Sequence, residues 1–193
     1  LCLALVLGLS TMALADGEKT IYILTPTEDH GWTGSVATFA KAKAEELNKA
    51  GKYDAEVKTA ATAAEQIQQI EDIVANSSGV AGVAILPMDD TVGSAIQQLA
   101  DAKIPYTAFD RIISDVAATA VANVKGDNEG IGAATAAYFV SLGLTPGEKI
   151  YVYQGDTSSV TTSRTEGFYK YLRGELEYDG KTIADDAKWT QDQ

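Results

Sequence analysis

The chain has 193 residues and a net charge of −12, from 27 acidic and 15 basic side chains. No basic cluster breaks that balance, which excludes nucleic acid and anionic membrane surfaces as partners, because both require positive side chains. A single histidine and a single cysteine leave an ordinary zinc site short of ligands and allow no internal disulfide, so no metal or other cofactor is expected.

Residues 1–15, LCLALVLGLSTMALA, carry no charge and end in the small-x-small triplet Ala13-Leu14-Ala15. They read as the h- and c-regions of a secretory signal peptide, cleaved after Ala15. A membrane span would want ~18 or more apolar residues. Cys2 lies at the wrong end of the run for a lipid-bearing cysteine. Cleavage would also remove the only thiol.

From Thr20 onward strand-like and helix-like segments alternate. TIYIL (20–24) predicts a buried strand, and Val36, Phe39, Ala40, Ala44 and Leu47 recur at helical spacing until Gly51. Residues 55–58 predict a short strand toward a sheet edge. Ile67, Ile70 and Val74 mark the next apolar helix face, and GVAIL (82–86) the next strand. Asp89 or Asp90 can cap a helix with Val92, Ile96 and Leu99 inward. A strand ending at Phe109 and a short one over 120–124 follow. Gly130 to Val140 predicts a helix, KIYVY (149–153) a sixth strand, and Thr162 to Leu172 a helix with Phe168 and Leu172 inward. This alternation argues for βαβ units and a mostly parallel α/β sheet. Right-handed crossovers then gather the loops 25–34, 87–90, 110–118, 125–128 and 154–161 along one edge.

Several enzyme signals are absent. There is no G-x-S-x-G elbow, and Gly180-Lys181-Thr182 has the wrong upstream spacing for a phosphate loop and reads as a turn. Two loops carry the unusual polar residues. Asp110 and Arg111 follow an apolar strand, where open α/β sheets bind ligands, and together they offer acceptors and a planar fork of donors to a hydroxyl-rich molecule. A turn aspartate beside a solvated arginine would look the same. The first loop holds Glu28, Asp29, His30 and Trp32. Trp32 fits stacking on a sugar face as well as it fits stapling the first helix, His30 fits a loop-ordering role, and Asp29 fits a helix cap.

In these features the chain resembles the type I periplasmic sugar-binding proteins, the ribose/galactose-binding family of ABC importers. The residues that carry the resemblance are the polar-aromatic first loop, Leu86-Pro87-Met88-Asp89-Asp90, the phrase from Ile104-Pro105 to Phe109-Asp110-Arg111, Gly126-Asp127-Asn128, and Arg164-Thr165-Glu166-Gly167-Phe168. The match spans about residues 20–175. It implies a two-lobed α/β clamp of doubly wound parallel sheets. Residues 16–126 would form the N-terminal lobe, and residues 127–193 the hinge crossover and an incomplete C-terminal lobe. It further implies a sugar or polyol ligand held by Asp110 and Arg111, with Asp29, His30 and Trp32 beside it, Asn128 at the hinge, and Arg164 from the second lobe. An offset of two would put Thr162 in the place of Arg164. Relatives often carry asparagine where this chain has Leu86, which leaves the sugar open. The partners implied are ABC permease subunits and a chemoreceptor, in the periplasm, for a monomer that is not an enzyme. A repressor's effector-sensing domain and an α/β enzyme acting on carbohydrate are the alternatives.

Overall fold

A computed structural model describes residues 19–27, 31–155 and 157–190. The expected signal segment, 1–15, lies outside them. Five strands form one parallel sheet: β1 (Thr20–Pro26), β2 (Asp54–Ala60), β3 (Val80–Ile85), β4 (Tyr106–Phe109) and β5 (Ala122–Val124), in the order β2-β1-β3-β4-β5. The helices are α1 (Gly31–Ala50), α2 (Ala63–Ala75), α3 (Gly93–Asp101), α4 (Asn128–Ser141) and α5 (Ser159–Leu172).

Strand order follows from the crossovers. β1 to β2 steps one way and β2 to β3 steps back across β1, so right-handed connections put α1 on one face and α2 and α3 on the other. The cores agree. Ala44, Ala40 and Leu47 of α1 meet Ile23, Ala55 and Val57 on one face. Ile70, Ile73, Ile96 and Leu99 of α2 and α3 meet Leu24, Val83, Ile85 and Ala108 on the other. The order reverses between β1 and β3, the switch point where such sheets bind ligands. β2 is an edge strand as expected. Asn48 covers part of its edge, accepting from Ala55 N–H (2.6 Å) and donating to Ala55 O (3.1 Å).

Local signals set the starts of several elements. Thr62 accepts from Glu65 N–H at 3.2 Å, and the Glu65 carboxylate accepts from Ala61 N–H at 2.8 Å, a reciprocal cap that starts α2. Asp89, one of the two aspartates expected to cap, accepts from Thr91 N–H at 2.9 Å ahead of α3. Asp127 accepts from Gly130 N–H at 2.8 Å and starts α4. Tyr178 and Lys181 close a two-residue turn through Asp179 (φ 52°) and Gly180 (φ 69°), the pair of positive angles that an Asp-Gly turn adopts.

Two expectations are corrected. Phe39 does not face the sheet: it is 73% exposed, and Ala37, two positions earlier, is fully buried in its stead. The inward stripe of α1 therefore runs through small residues, which let the helix lie close to the strands. Residues 149–153 form no strand. A strand exists only as part of a ladder, and no strand among the described residues lies beside this segment, so Tyr151 and Tyr153 stand 83% and 96% exposed.

Beyond β5, α4 and α5 pack against each other. Ala133, Ala136, Tyr171 and Leu172 form a second core with Ile183 and Trp189. Lys170 donates to Glu129 at 2.5 Å across the pair, and that bond, with the carboxylate's charge, raises the lysine pKa above its ordinary value.

Candidate functional site

The carboxyl end of β4 and the α4–α5 pair bound a cleft of about 500 Å³. Asp110 and Arg111 form its wall on the sheet side. Arg164, Thr161, Thr165 and Ser158 on or beside α5, Thr135 and Phe139 on α4, and residues 150–153 face them from the other side. Polar groups converge from two sides on a largely apolar cavity, the usual build of a small-molecule site.

Asp110 is held by its backbone. Its N–H donates to Val124 O at 2.8 Å, tying the end of β4 to β5, and its φ of 62° lies in the left-handed region. Aspartate and asparagine tolerate that conformation better than other side-chain-bearing residues, because a short polar side chain can bond locally. Asp110→Asn is therefore expected to change stability by under ~0.5 kcal/mol, whereas Asp110→Val, β-branched at positive φ, should cost ~1–2 kcal/mol. Urea denaturation of the two variants measures the difference.

The Arg111 N–H donates to Phe109 O at 2.9 Å, and its guanidinium Nη1 donates to Met88 O in the loop after β3. The next residue, Ile112, donates its N–H to Ser159 Oγ at 3.3 Å, joining the Asp-Arg loop to the first turn of α5. Across the cleft, Arg164 Nε donates to Asn128 Oδ1 at 3.0 Å. Asn128 is 7% exposed and does not line the cavity, so what it touches is Arg164.

The structure thus brings Asp110, Arg111 and Arg164 to one cavity and places Asn128 behind Arg164. Trp32 lies apart from it, 57% exposed at the start of α1. Asp29 and His30 lie outside the described residues. Thr162, the alternative to Arg164, is exposed and does not line the cleft. Ser158, Thr161, Thr165 and the tyrosines at 151 and 153 were not singled out from the sequence. Their signal was positional, since several fall in or next to the loop 154–161 expected at the strand-end edge. Among the described residues no group of three or more histidine, cysteine, aspartate or glutamate side chains could hold a metal, and no helix is long and apolar enough to cross a membrane.

Residues 21–193 match the family described as periplasmic binding protein domain. The chain belongs to that family. No curated protein matches the sequence, but solved periplasmic binding proteins share the fold. The binding component of the arabinose ABC transporter of Shewanella sp. ANA-3, solved with α- and β-L-arabinofuranose, aligns with a TM-score of 0.64 at 22% identity, covering 79% of this chain and 49% of that one. An ABC transporter solute-binding protein of Clostridium phytofermentans with bound β-D-glucose gives 0.63 at 21% identity, covering 89% and 55%. A Brachyspira murdochii protein described as ABC transporter, LacI family transcriptional regulator gives 0.66 at 20% identity, covering 91% and 56%. The chain spans about half the length of these periplasmic-binding-protein structures. Its fold is the α/β architecture of the type I members, with a parallel five-stranded sheet and an incomplete second lobe.

Proposed function

We propose that this chain is part of an extracytoplasmic solute-binding protein that captures a sugar or sugar-like polyol between two lobes and delivers it to an ABC importer. Residues 16–126 are taken as the first lobe, and 127–193 as the hinge crossover and part of the second. The observation that carries the reading is the convergence of Asp110, Arg111 and Arg164 on one cleft at the carboxyl end of β4 in a doubly wound parallel sheet. A carboxylate accepts from hydroxyls and guanidinium groups donate to them, so a ring bearing hydroxyls on adjacent carbons can satisfy both at once. The fold relatives solved with arabinofuranose and glucose agree in ligand class.

The reading is binding without catalysis: the chemistry assembled is that of hydrogen bonding, and closure of two lobes over a ligand is how a clamp retains it. Trp32, Asp29 and His30 belong to this reading as residues of the first loop that a closing ligand would meet. A periplasmic location rests on the family and on the uncharged run 1–15. Delivery to permease subunits, docking to a chemoreceptor and a monomeric state rest on the family relation alone. A second reading, the sensing domain of a repressor, has the Brachyspira relative behind it. The uncharged apolar run 1–15, read as part of an export signal, favours the solute-binding reading over it.

Saturation-transfer NMR of the 193-residue chain against a panel of pentoses, hexoses and inositols tests the proposal. At least one sugar is expected to show transfer. Asp110→Ala and Arg111→Ala should each weaken its binding by ~1.5–3 kcal/mol, the scale of a charge-assisted hydrogen bond. Equal transfer to wild type and both variants would remove the pair from the site.

A further inference from the structure

Gln66 lies in the first turn of α2 and is fully buried. A carboxamide without water is costly unless both of its ends are hydrogen-bonded. Here both are: Nε2 donates to Leu86 O at 3.0 Å, and Oε1 accepts from Met88 N–H at 2.8 Å. A carbonyl at one residue and an N–H two residues later are what one residue of a neighbouring parallel strand would engage. The main-chain ladder stops at this point. β3 ends at Ile85, and the last bond from β1 is Leu86 N–H to Leu24 O, 2.9 Å. The side chain of Gln66 continues the ladder past Pro87, which has no N–H to give.

The segment so fixed does not itself line the cleft but meets Arg111, which does. On its far side Asp89 accepts from Thr91 N–H and closes the turn before α3. Between these two anchors, Met88 O accepts from Arg111 Nη1. Gln66 does not line the cleft, yet the carbonyl that meets the cleft arginine belongs to the residue whose N–H it holds.

We propose that Gln66 is a positioning residue for Arg111: by pinning residues 86–88 it sets the Met88 carbonyl that orients the guanidinium. The inference deepens the sugar-binding reading and rests on the part Arg111 plays in it. A loop lacking this clamp would leave Leu86 O and Met88 N–H without partners in a buried place, and the backbone would turn toward water to satisfy them.

The test is NMR of the 193-residue chain labelled with 15N-arginine, comparing wild type with Gln66→Met, an apolar side chain of similar length. A guanidinium held at Nη1 rotates slowly and gives separate Nη resonances. In Gln66→Met the Arg111 resonances are expected to merge or shift, while those of Arg164 and Arg173 stay in place. Unchanged Arg111 resonances in a folded Gln66→Met chain would overturn the proposal. Gln66→Glu, whose carboxyl burial holds neutral, can still donate to Leu86 O and accept from Met88 N–H; it is the second variant and should keep the Arg111 resonances near their wild-type positions. If neither variant folds, Gln66 is a residue of the core and the positioning role is wrong. In the sugar titration, Gln66→Met should weaken binding in the wild-type background and add nothing to Arg111→Ala; an additional loss there would also overturn it. If Arg111→Ala leaves sugar binding unchanged, the sugar reading fails, and the arginine resonances still decide the positioning claim.

Discussion

Replacing Gly167 with alanine is expected to separate α4 from α5. A Cβ at Gly167 would stand 2.0 Å from Glu129 O, and one at Gly132, on the facing helix, would stand 2.1 Å from Arg164 O. Both obstacles are backbone, so no side chain can swing aside. The helices would have to move apart by about 1.4 Å to restore an ordinary contact. Overpacking of a close-packed contact costs ~1–3 kcal/mol, and this one has no soft neighbour, so we expect about 3 kcal/mol or more. The consequence reaches the cleft, because Arg164 and Asn128 sit on the two helices and bond across them. Tryptophan fluorescence reads the outcome. Trp189 is 5% exposed in the core these helices share and Trp32 is 57% exposed, so a red shift on substitution reports Trp189. Emission and melting curves unchanged in both Gly167→Ala and Gly132→Ala would mean that the helices do not approach this closely.

Leu24→Ala should destabilise the sheet by about 2–5 kcal/mol, toward the upper part of that range. Leu24 is fully buried on β1, which has strands on both sides, and it packs in the core shared with α2 and α3. A central strand is paired along both edges and covered on both faces, so the space left by the lost carbons cannot collapse easily. The cost adds the lost transfer free energy to the cavity term. Urea denaturation should show a lower midpoint with an unchanged slope. Phe39→Ala on α1 serves as the contrast. Phe39 is the larger side chain but is 73% exposed, so its loss should change stability by no more than about 0.5 kcal/mol.

That contrast shows where sequence patterns run out. Helical spacing marked Phe39 as inward by its apolar character, yet the neighbouring stripe of Ala37, Ala40 and Ala44 allows closer approach to the strands. The pattern at Leu24, Ile70, Ile96 and Leu99 was legible because each lies in a segment flanked by clear turn residues and polar faces. KIYVY at 149–153 was legible as a strand in composition, but composition cannot supply the neighbour that a ladder needs.

The candidate site divides in the same way. Asp110-Arg111 could be picked out because a charged pair follows directly on an apolar strand. The capping aspartate at 89 was legible, as one of two candidates, from local chemistry, whereas Asp127 was legible only as part of a hinge-like phrase and its capping of α4 came from the structure. Gln66 was not. It sits among Glu65, Ile67, Gln68 and Gln69 and looks like any polar residue of an exposed helix face. Only the folded chain shows that its amide is fully buried and completes the bonds of a loop some twenty residues away.

By itself, the sequence determined the alternation of strand and helix, the parallel α/β class, the acidic surface and the strand-end position of Asp110 and Arg111. These follow from periodicity and composition, which act over a few residues. Tertiary structure alone decided that Arg164 faces that pair across a cleft, that Asn128 stands behind Arg164, that two glycines let α4 and α5 meet backbone to backbone, and that Phe39 turns outward. Each of these depends on which distant surfaces come into contact, and the close packing of those surfaces is set by the whole chain.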